Sequence, residues 1–196
     1  MVSPRQLLRK GGSQPGQALI LTKPIGTGVL FAANMRRKAK GRWIDAALES
    51  MLHSSGSAAA CFLRDGATAA TDVTGFGLLG HLVAMIKASG VDVDLRLDTV
   101  PLLDGALDCV NAGIFSSLQP QNLRLRRAIR NPRTASLDPR WPLLFDPQTA
   151  GGLLASVPAA QSADCVAELT RMGYRHAAVI GEIKVQSSSS EPIGIL

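Results

Sequence analysis

The most restrictive feature of the sequence is a stretch in which apolar and charged residues alternate. Residues 91–97 read Val-Asp-Val-Asp-Leu-Arg-Leu, and this period of two is typical of a strand with one buried face and one wet face. A sheet that contains such a strand is not covered on both sides across its whole width. The pattern therefore favours a mixed sheet over the fully buried parallel sheet of a doubly wound fold.

Strand-like and helix-like patterns alternate along the rest of the chain. Short apolar runs predict strands, and apolar residues three and four positions apart predict helices. The predicted strands are residues 18–23, 67–72, 91–97, 152–157 and 177–183. The predicted helices are residues 29–35, 44–52, 58–63, 78–89, 101–113 and 158–172, with an irregular stretch at 114–142. This order predicts an α/β (α+β) sandwich in which helices cover a mixed β-sheet.

The length and composition indicate one packed domain. The chain has 196 residues, of which 46% are hydrophobic and 18% charged, which is typical of a globular protein and not of a disordered one. Residues 1–17 are polar and basic and are interpreted as a linker. The domain is expected over 18–185, and the serine-rich residues 186–196 are predicted to be a mobile tail.

Several classes of protein are disfavoured by the sequence. No apolar run approaches the roughly 18 residues that a membrane helix needs, and the amino terminus lacks the apolar centre of a signal peptide. No membrane contact and a cytoplasmic location are therefore expected. Cys61, Cys109 and Cys165 lie far apart, and their odd number argues against a disulfide framework. Each is predicted to be a buried small apolar residue, and neither they nor the scattered histidines have the spacing of a zinc site.

The positive charge is unevenly distributed. The net charge is +6, and residues 1–44 contain nine Lys or Arg but no Asp or Glu. Basic clusters lie at 36–42 and at 124–133, and such patches attract polyanions, including nucleic acid and phosphorylated ligands. A solvated surface is the favoured interpretation, because the clusters lack the interleaved aromatic residues of single-strand binders. Nucleic acid is therefore not an expected partner.

The most informative segment runs from Ala70 to Gly77 and reads Ala-Thr-Asp-Val-Thr-Gly-Phe-Gly. It places Asp72 at the end of a predicted strand, before a glycine turn and a helix start. Backbone N–H groups at a helix start attract phosphate oxygens, and a carboxylate there can hold Mg2+ together with phosphate oxygens and water. The alternative is that Asp72 or Thr74 only caps the turn or the helix.

Two further segments combine glycines with polar side chains. Residues 145–152 read Phe-Asp-Pro-Gln-Thr-Ala-Gly-Gly, and residues 22–28 read Thr-Lys-Pro-Ile-Gly-Thr-Gly. Paired glycines permit close approach of a ligand, although they also simply make a turn. The second segment is neither a Walker loop nor a dinucleotide fingerprint. No nucleophile lies beside a base in sequence, so no catalytic residue is predicted.

Taken in order, these three segments resemble the carboxyl-terminal half of selenophosphate synthetases (selenide, water dikinases). That family typically shows Leu-Thr-Lys-Pro-Leu-Gly-Thr-Gly, then Thr-Asp-Val-Thr-Gly-Phe-Gly-Leu-Leu-Gly-His, then Asp-Pro-Gln-Thr-Ser-Gly-Gly-Leu-Leu. Here the segments are Leu21–Gly28, Thr71–His81 and Asp146–Leu154, with Ile25 for Leu and Ala150 for Ser. The resemblance extends from about residue 7 to residue 185. It implies the fold of the carboxyl-terminal domain of aminoimidazole ribonucleotide synthetase.

The resemblance also implies a function. The family makes selenophosphate from selenide, ATP and water, and releases AMP and phosphate. Its Asp in the Thr-Asp-Val-Thr-Gly-Phe-Gly segment is a Mg2+ ligand at an interdomain cleft, and this role falls on Asp72. Phosphate or nucleotide contacts are assigned to the polar and glycine residues around it: Thr71, Thr74, Gly75, Gly77, Gln148 and Thr149. The cofactors implied are Mg2+ and ATP.

The same resemblance limits what this chain is expected to do alone. The family's reactive Cys or selenocysteine, its glycine-rich loop with a catalytic Lys and its other Mg2+ ligands belong to an amino-terminal ATP-binding domain that this sequence does not contain. Lys23 is not that lysine. The chain is therefore interpreted as an inactive fragment whose partners are the missing domain, ATP and selenide, with a homodimer expected for the full-length protein. The alternatives are a basic module that binds tRNA and a related ATP-dependent synthetase.

Overall fold

The computed structural model describes residues 7–196 and contains a six-stranded mixed sheet. The strands are β1 (Gln17–Leu21), β2 (Ala69–Asp72), β3 (Asp92–Leu95), β4 (Leu153–Pro158), β5 (Ala178–Lys184) and β6 (Ile193–Ile195). Their order across the sheet is β2-β4-β1-β5-β3-β6. All neighbouring strands are antiparallel except β3 and β6, which are parallel. The predicted mixed sheet is confirmed.

Helices lie on both faces of this sheet. The α-helices are α1 (Thr27–Met35), α2 (Gly41–Leu52), α3 (Gly56–Arg64), α4 (Gly77–Ser89), α5 (Ala106–Asn111), α6 (Gln119–Asn122), α7 (Pro132–Ala135) and α8 (Ala159–Arg171). The stretch predicted to be irregular, 114–142, contains the two shortest of these, the 3-10 helix Leu123–Ala128 and the start of a second 3-10 helix, Trp141–Phe145. No helix within residues 7–196 combines the length and apolarity needed to cross a membrane.

The central strand β1 explains how two cores form. All five of its residues are buried, and neighbouring side chains point to opposite faces. Leu19 and Leu21 belong to the larger core, which contains α1 and α4, whereas Ile20 belongs to a smaller core with α3 and α8. Strand β3 behaves as its alternating sequence predicts, because Val93 and Leu95 are fully buried and Asp94 is partly exposed.

Both ends of the described residues 7–196 are attached to the sheet. The sequence predicts a mobile tail over 186–196, whereas the structure gives Ser187 a 2.6 Å hydrogen bond to the buried Asp92 and places strand β6 beside β3. Burial of the two isoleucines of β6 explains why these residues join the sheet. At the other end, the carbonyl of Arg9 accepts a 2.8 Å hydrogen bond from the amide of Ala70. The linker role of residues 1–17 stays a prediction, and residues 1–6 lie outside the described residues.

Candidate functional site

The three glycine-containing segments meet at one edge of the sheet. Strands β1 and β2 both run antiparallel to β4, so their carboxyl ends lie at the amino end of β4. Leu21 pairs with Leu154, and Asp72 pairs with Leu153. The amide of Val73 donates to the carbonyl of Gly152 at 2.9 Å. Residues that are far apart in the sequence therefore form one continuous surface.

Asp72 is the exposed carboxylate of this edge. Its side chain is 61% exposed, and the neighbouring Thr71 is buried with its hydroxyl 3.4 Å from the Asp72 carboxylate. Oxygen ligands are those that Mg2+ prefers, and Mg2+ commonly uses only one or two protein carboxylates, with water and phosphate oxygens completing its octahedron. A single accessible carboxylate such as that of Asp72 fits this requirement.

His81 supports this segment from the second turn of α4. Its Nε2 accepts a 3.0 Å hydrogen bond from the amide of Thr74 and lies 3.1 Å from the Thr74 hydroxyl. The acceptor role of Nε2 leaves the proton on Nδ1, which lies 3.9 Å from the Asp72 carboxylate. Burial lowers the pKa of His81, although the charge of Asp72 raises it in part. The neutral imidazole thus fixes the turn after β2.

His81 ends the Thr71–His81 segment, and the sequence predicts no separate role for it. The available signal was its position in the first helical turns after a polar turn residue. That signal is ambiguous, because a histidine at such a position can either fill the core or hold a loop.

Gly75 and Gly77 have different structural roles. Gly77 has a φ of +70°, and a Cβ atom there would lie 2.9 Å from the carbonyl oxygen of Leu144. Its amide donates to the Thr74 carbonyl at 2.9 Å, so this N–H is already used within the protein. Gly75 is exposed, and a Cβ atom there would meet nothing within 4 Å. Only Gly75 has a free surface for a ligand.

Gln148 is buried and connects two of the segments. Its Oε1 accepts hydrogen bonds from the amides of Gly26 and Thr27, at 2.9 and 3.1 Å, and from the Thr27 hydroxyl at 3.1 Å. Its Nε2 donates to the carbonyl and the carboxylate of Asp146, at 2.7 and 3.1 Å. The carboxamide is therefore used within the protein and caps the start of α1. Gln148 supports the site from inside the protein, and its side chain has no free polar group for the predicted phosphate contact.

Asp146 is the second carboxylate of the edge and is almost completely buried. Its Oδ1 has no well-aligned hydrogen-bond partner, although it faces the first turn of α1 beside Gly28. Burial raises the pKa of Asp146 to about 7, and nearby amides of α1 and the Gln148 side chain lower it only in part. Asp146 is therefore an internal group and not a candidate metal ligand.

A shallow groove of about 370 Å3 lies next to these residues. It is lined by Gly28, Phe31, Arg36, Gly75 and Thr149, among others. Thr149 is exposed, and its amide donates to the Thr27 hydroxyl at 2.9 Å. Arg36 belongs to the first basic cluster, so a positive charge borders the groove.

Lys23 and Arg130 are not among the residues that line this groove. Lys23 is buried, and its ammonium group donates to the carbonyls of His53 at 2.6 Å and Ala150 at 3.4 Å. Burial lowers the pKa of Lys23. Arg130 of the second basic cluster is bonded to Asp94 at 3.0 Å, so that cluster is not wholly available to a polyanion.

Comparison with known proteins identifies the class of protein. Residues 14–191 match the family described as AIR synthase related protein, C-terminal domain. The chain belongs to this family. This match confirms, at the level of the superfamily, the resemblance that the three segments carry.

The similar curated proteins are selenide, water dikinases. The chain is 35% identical over 187 residues to that of Clostridioides difficile, covering 93% of this chain and 53% of the relative. It is 37% identical over 186 residues to that of Geobacter metallireducens, with the same two coverages. The chain thus spans about half the length of the curated relatives it matches.

Solved structures show the same fold in more distant proteins. The hydrogenase maturation protein HypE matches with a TM-score of 0.64 at 19% identity, over 94% of this chain and 49% of that one. A thiamine-monophosphate kinase from Stenotrophomonas maltophilia matches with a TM-score of 0.63 at 17% identity, over 99% of this chain and 54% of that one. At these identities the likeness concerns the fold alone.

Proposed function

We propose that this chain is the carboxyl-terminal domain of a selenide, water dikinase and forms one wall of its active site. The full-length enzyme would make selenophosphate from selenide, ATP and water. The observation that carries the proposal is the convergence of three separate segments at one edge of the sheet, where Asp72 is the exposed carboxylate. The similarity to selenide, water dikinases along nearly the whole chain supports the same assignment.

Asp72 is proposed to hold Mg2+ against the phosphates of ATP. The ion would neutralise negative charge on the phosphates as it develops during transfer. Thr74 and His81 keep the turn after β2 in place, so that the carboxylate is presented at a fixed position. Gly75 and Thr149 leave the adjoining surface open, and Arg36 adds a positive charge that attracts a polyphosphate.

The other wall of the site is proposed to come from an amino-terminal ATP-binding domain. The relatives are about twice as long as this chain, and this domain offers the proposed site one exposed carboxylate, that of Asp72. The chain alone is therefore expected to be inactive. A cytoplasmic location and a homodimer of the full-length protein remain predictions.

The proposal is tested in a chimera that joins this chain to the amino-terminal half of the Geobacter metallireducens relative. Formation of selenophosphate from ATP and selenide is followed by phosphorus NMR, with release of AMP as a second readout. The chimera should be active, and Asp72→Asn should lower its kcat/KM by about 100-fold or more, since removal of a charged group that acts in the transition state costs several kcal/mol.

The matched control is Asp164→Asn, because Asp164 is an exposed carboxylate on α8. This variant should retain the activity of the chimera. An Asp72→Asn chimera as active as the control would remove Asp72 from the site. An inactive chimera that is folded and binds ATP through its amino-terminal half would count against the proposed function itself.

A further inference from the structure

Two cysteines and a carboxylate form a compact cluster between α3 and α8. Cys61 Sγ lies 3.9 Å from Cys165 Sγ and 3.4 Å from an oxygen of Asp65. One ligand atom from each of the three residues lies within 4.8 Å of the other two. Within residues 7–196 this is the single group of three such side chains with that spacing.

The separations match those of a tetrahedral metal site. Bonds of about 2.3 Å to sulfur and about 2.0 Å to oxygen at tetrahedral angles place two sulfurs roughly 3.8 Å apart, and a sulfur roughly 3.5 Å from an oxygen. The observed distances of 3.9 and 3.4 Å are close to both values. The 3.9 Å sulfur separation is also far longer than the roughly 2.05 Å of a disulfide bond.

The surroundings support ligation by this cluster. Both cysteines are fully buried in the smaller core, where α3 and α8 pack on the sheet. Asp65 is 17% exposed and links the thiols to the surface. One of its oxygens faces Cys61, while the other accepts a 3.1 Å hydrogen bond from Arg64. An outer hydrogen bond of this kind orients a metal-binding carboxylate in known sites.

We propose that Cys61, Asp65 and Cys165 bind a thiophilic divalent cation of the Zn2+ class, with water as the fourth ligand. The ion would join α3 to α8 and stabilise the helical layer on this face of the sheet. The site uses none of the residues that are proposed to bind Mg2+ or phosphate.

A metal ion binds these two cysteines as thiolates. Burial raises the pKa of Cys61 and of Cys165, and the negative charge of Asp65 raises both further. Ligation of the ion therefore has to displace the protons of the thiols. The charged groups around the cluster are Arg64 at the end of α3, Asp65 directly after it, and Glu168 and Arg171 of α8.

The site is tested by titrating Co2+ into the reduced chain, because thiolate-to-cobalt charge transfer gives a near-ultraviolet absorption that carboxylate sites lack. One cobalt per chain with this absorption is expected, and Zn2+ should displace it. Cys61→Ala and Cys165→Ala should each abolish the absorption, and Asp65→Asn should weaken binding by about tenfold or more. Zn2+ at about a hundredfold excess over its Kd should raise the Tm of the unmodified chain by roughly 5–10 °C.

Cys109→Ala is the control and should leave both readouts unchanged. Cys109 is likewise a buried cysteine, but it lies outside the cluster. Asp65 lies at the rim, so its variant remains informative if a cysteine variant fails to fold. Cobalt binding without the thiolate absorption, or absorption that survives both cysteine substitutions, would overturn the proposal. A Cys61–Cys165 disulfide in the isolated protein would also overturn the proposal if the protein gives no such absorption after reduction.

Discussion

Asp72 and Asp146 belong to two signature segments that meet at the same edge of the sheet, yet their environments are opposite. Asp72 follows β2 with a side chain that is 61% exposed. Asp146 precedes β4 and is almost completely buried, with one carboxylate oxygen lacking a well-aligned partner. One carboxylate is available to a cation, and the other is an internal group of the fold.

This difference shows that a residue in a functional motif need not touch a ligand. Asp146 and Gln148 form a buried hydrogen-bonded pair that holds the start of α1. The position of Asp72 depends on this pair, because the backbone amide of Gln148 donates to the Thr74 carbonyl at 3.1 Å and so links the two segments. The buried segment around Asp146 holds the neighbouring segment in place, and that segment carries the exposed carboxylate of Asp72.

The largest expected effect comes from exchanging the Asp146 carboxylate for its amide. In the folded protein burial raises the pKa of Asp146 from 3.8 to about 7. The folded state then keeps a proton that the unfolded state loses between about pH 4 and pH 7, so this group's contribution to stability falls as pH rises through that window. Asp146→Asn removes the effect, which corresponds to about 4 kcal/mol at most.

Urea unfolding at about pH 4 and pH 8 measures this difference. The stability of Asp146→Asn relative to the unmodified chain should be greater at pH 8 than at pH 4. Asp72→Asn serves as the control and should change the free energy of unfolding by less than about 0.5 kcal/mol at either pH. An equal pH dependence for the unmodified chain and for Asp146→Asn would break the contrast between the two carboxylates.

Truncation of Gln148 should have the next largest effect. Gln148→Ala leaves the buried amides of Gly26 and Thr27 without their acceptor and opens a cavity, which should cost about 3 kcal/mol of unfolding free energy. Chemical denaturation measures the loss. Gln161→Ala, on the exposed side of α8, is the matched control and should cost less than about 0.5 kcal/mol. A similar small loss at position 148 would contradict the capping role.

The smallest expected effect separates the two glycines of the Asp72 segment. Gly77→Ala forces a side chain onto a φ of +70° and against the Leu144 carbonyl, which should cost about 2 kcal/mol. Gly75→Ala meets open space and should leave the thermal midpoint nearly unchanged. Differential scanning calorimetry of the two variants compares them directly. Equal midpoints would show that the turn tolerates a side chain at both positions.

Much of the fold follows from local patterns in the sequence. The alternation in 91–97 predicts the half-buried strand β3, and the apolar run at 18–23 predicts the fully buried strand β1. Strand β6 is missed because three residues beside a proline and a serine run give too short a pattern. It forms only because β3 offers an unpaired edge with apolar neighbours for Ile193 and Ile195.

The sequence by itself determines the family, the mixed sheet and the position of Asp72 at the end of a strand. These properties depend on local order and periodicity, which a sequence records directly. The tertiary structure alone decides that Gln148 is internal, that His81 holds the turn, and that Cys61 and Cys165 are neighbours although 104 positions separate them. Burial and contact depend on segments that are distant in the chain, and their packing sets which polar groups remain free for a ligand.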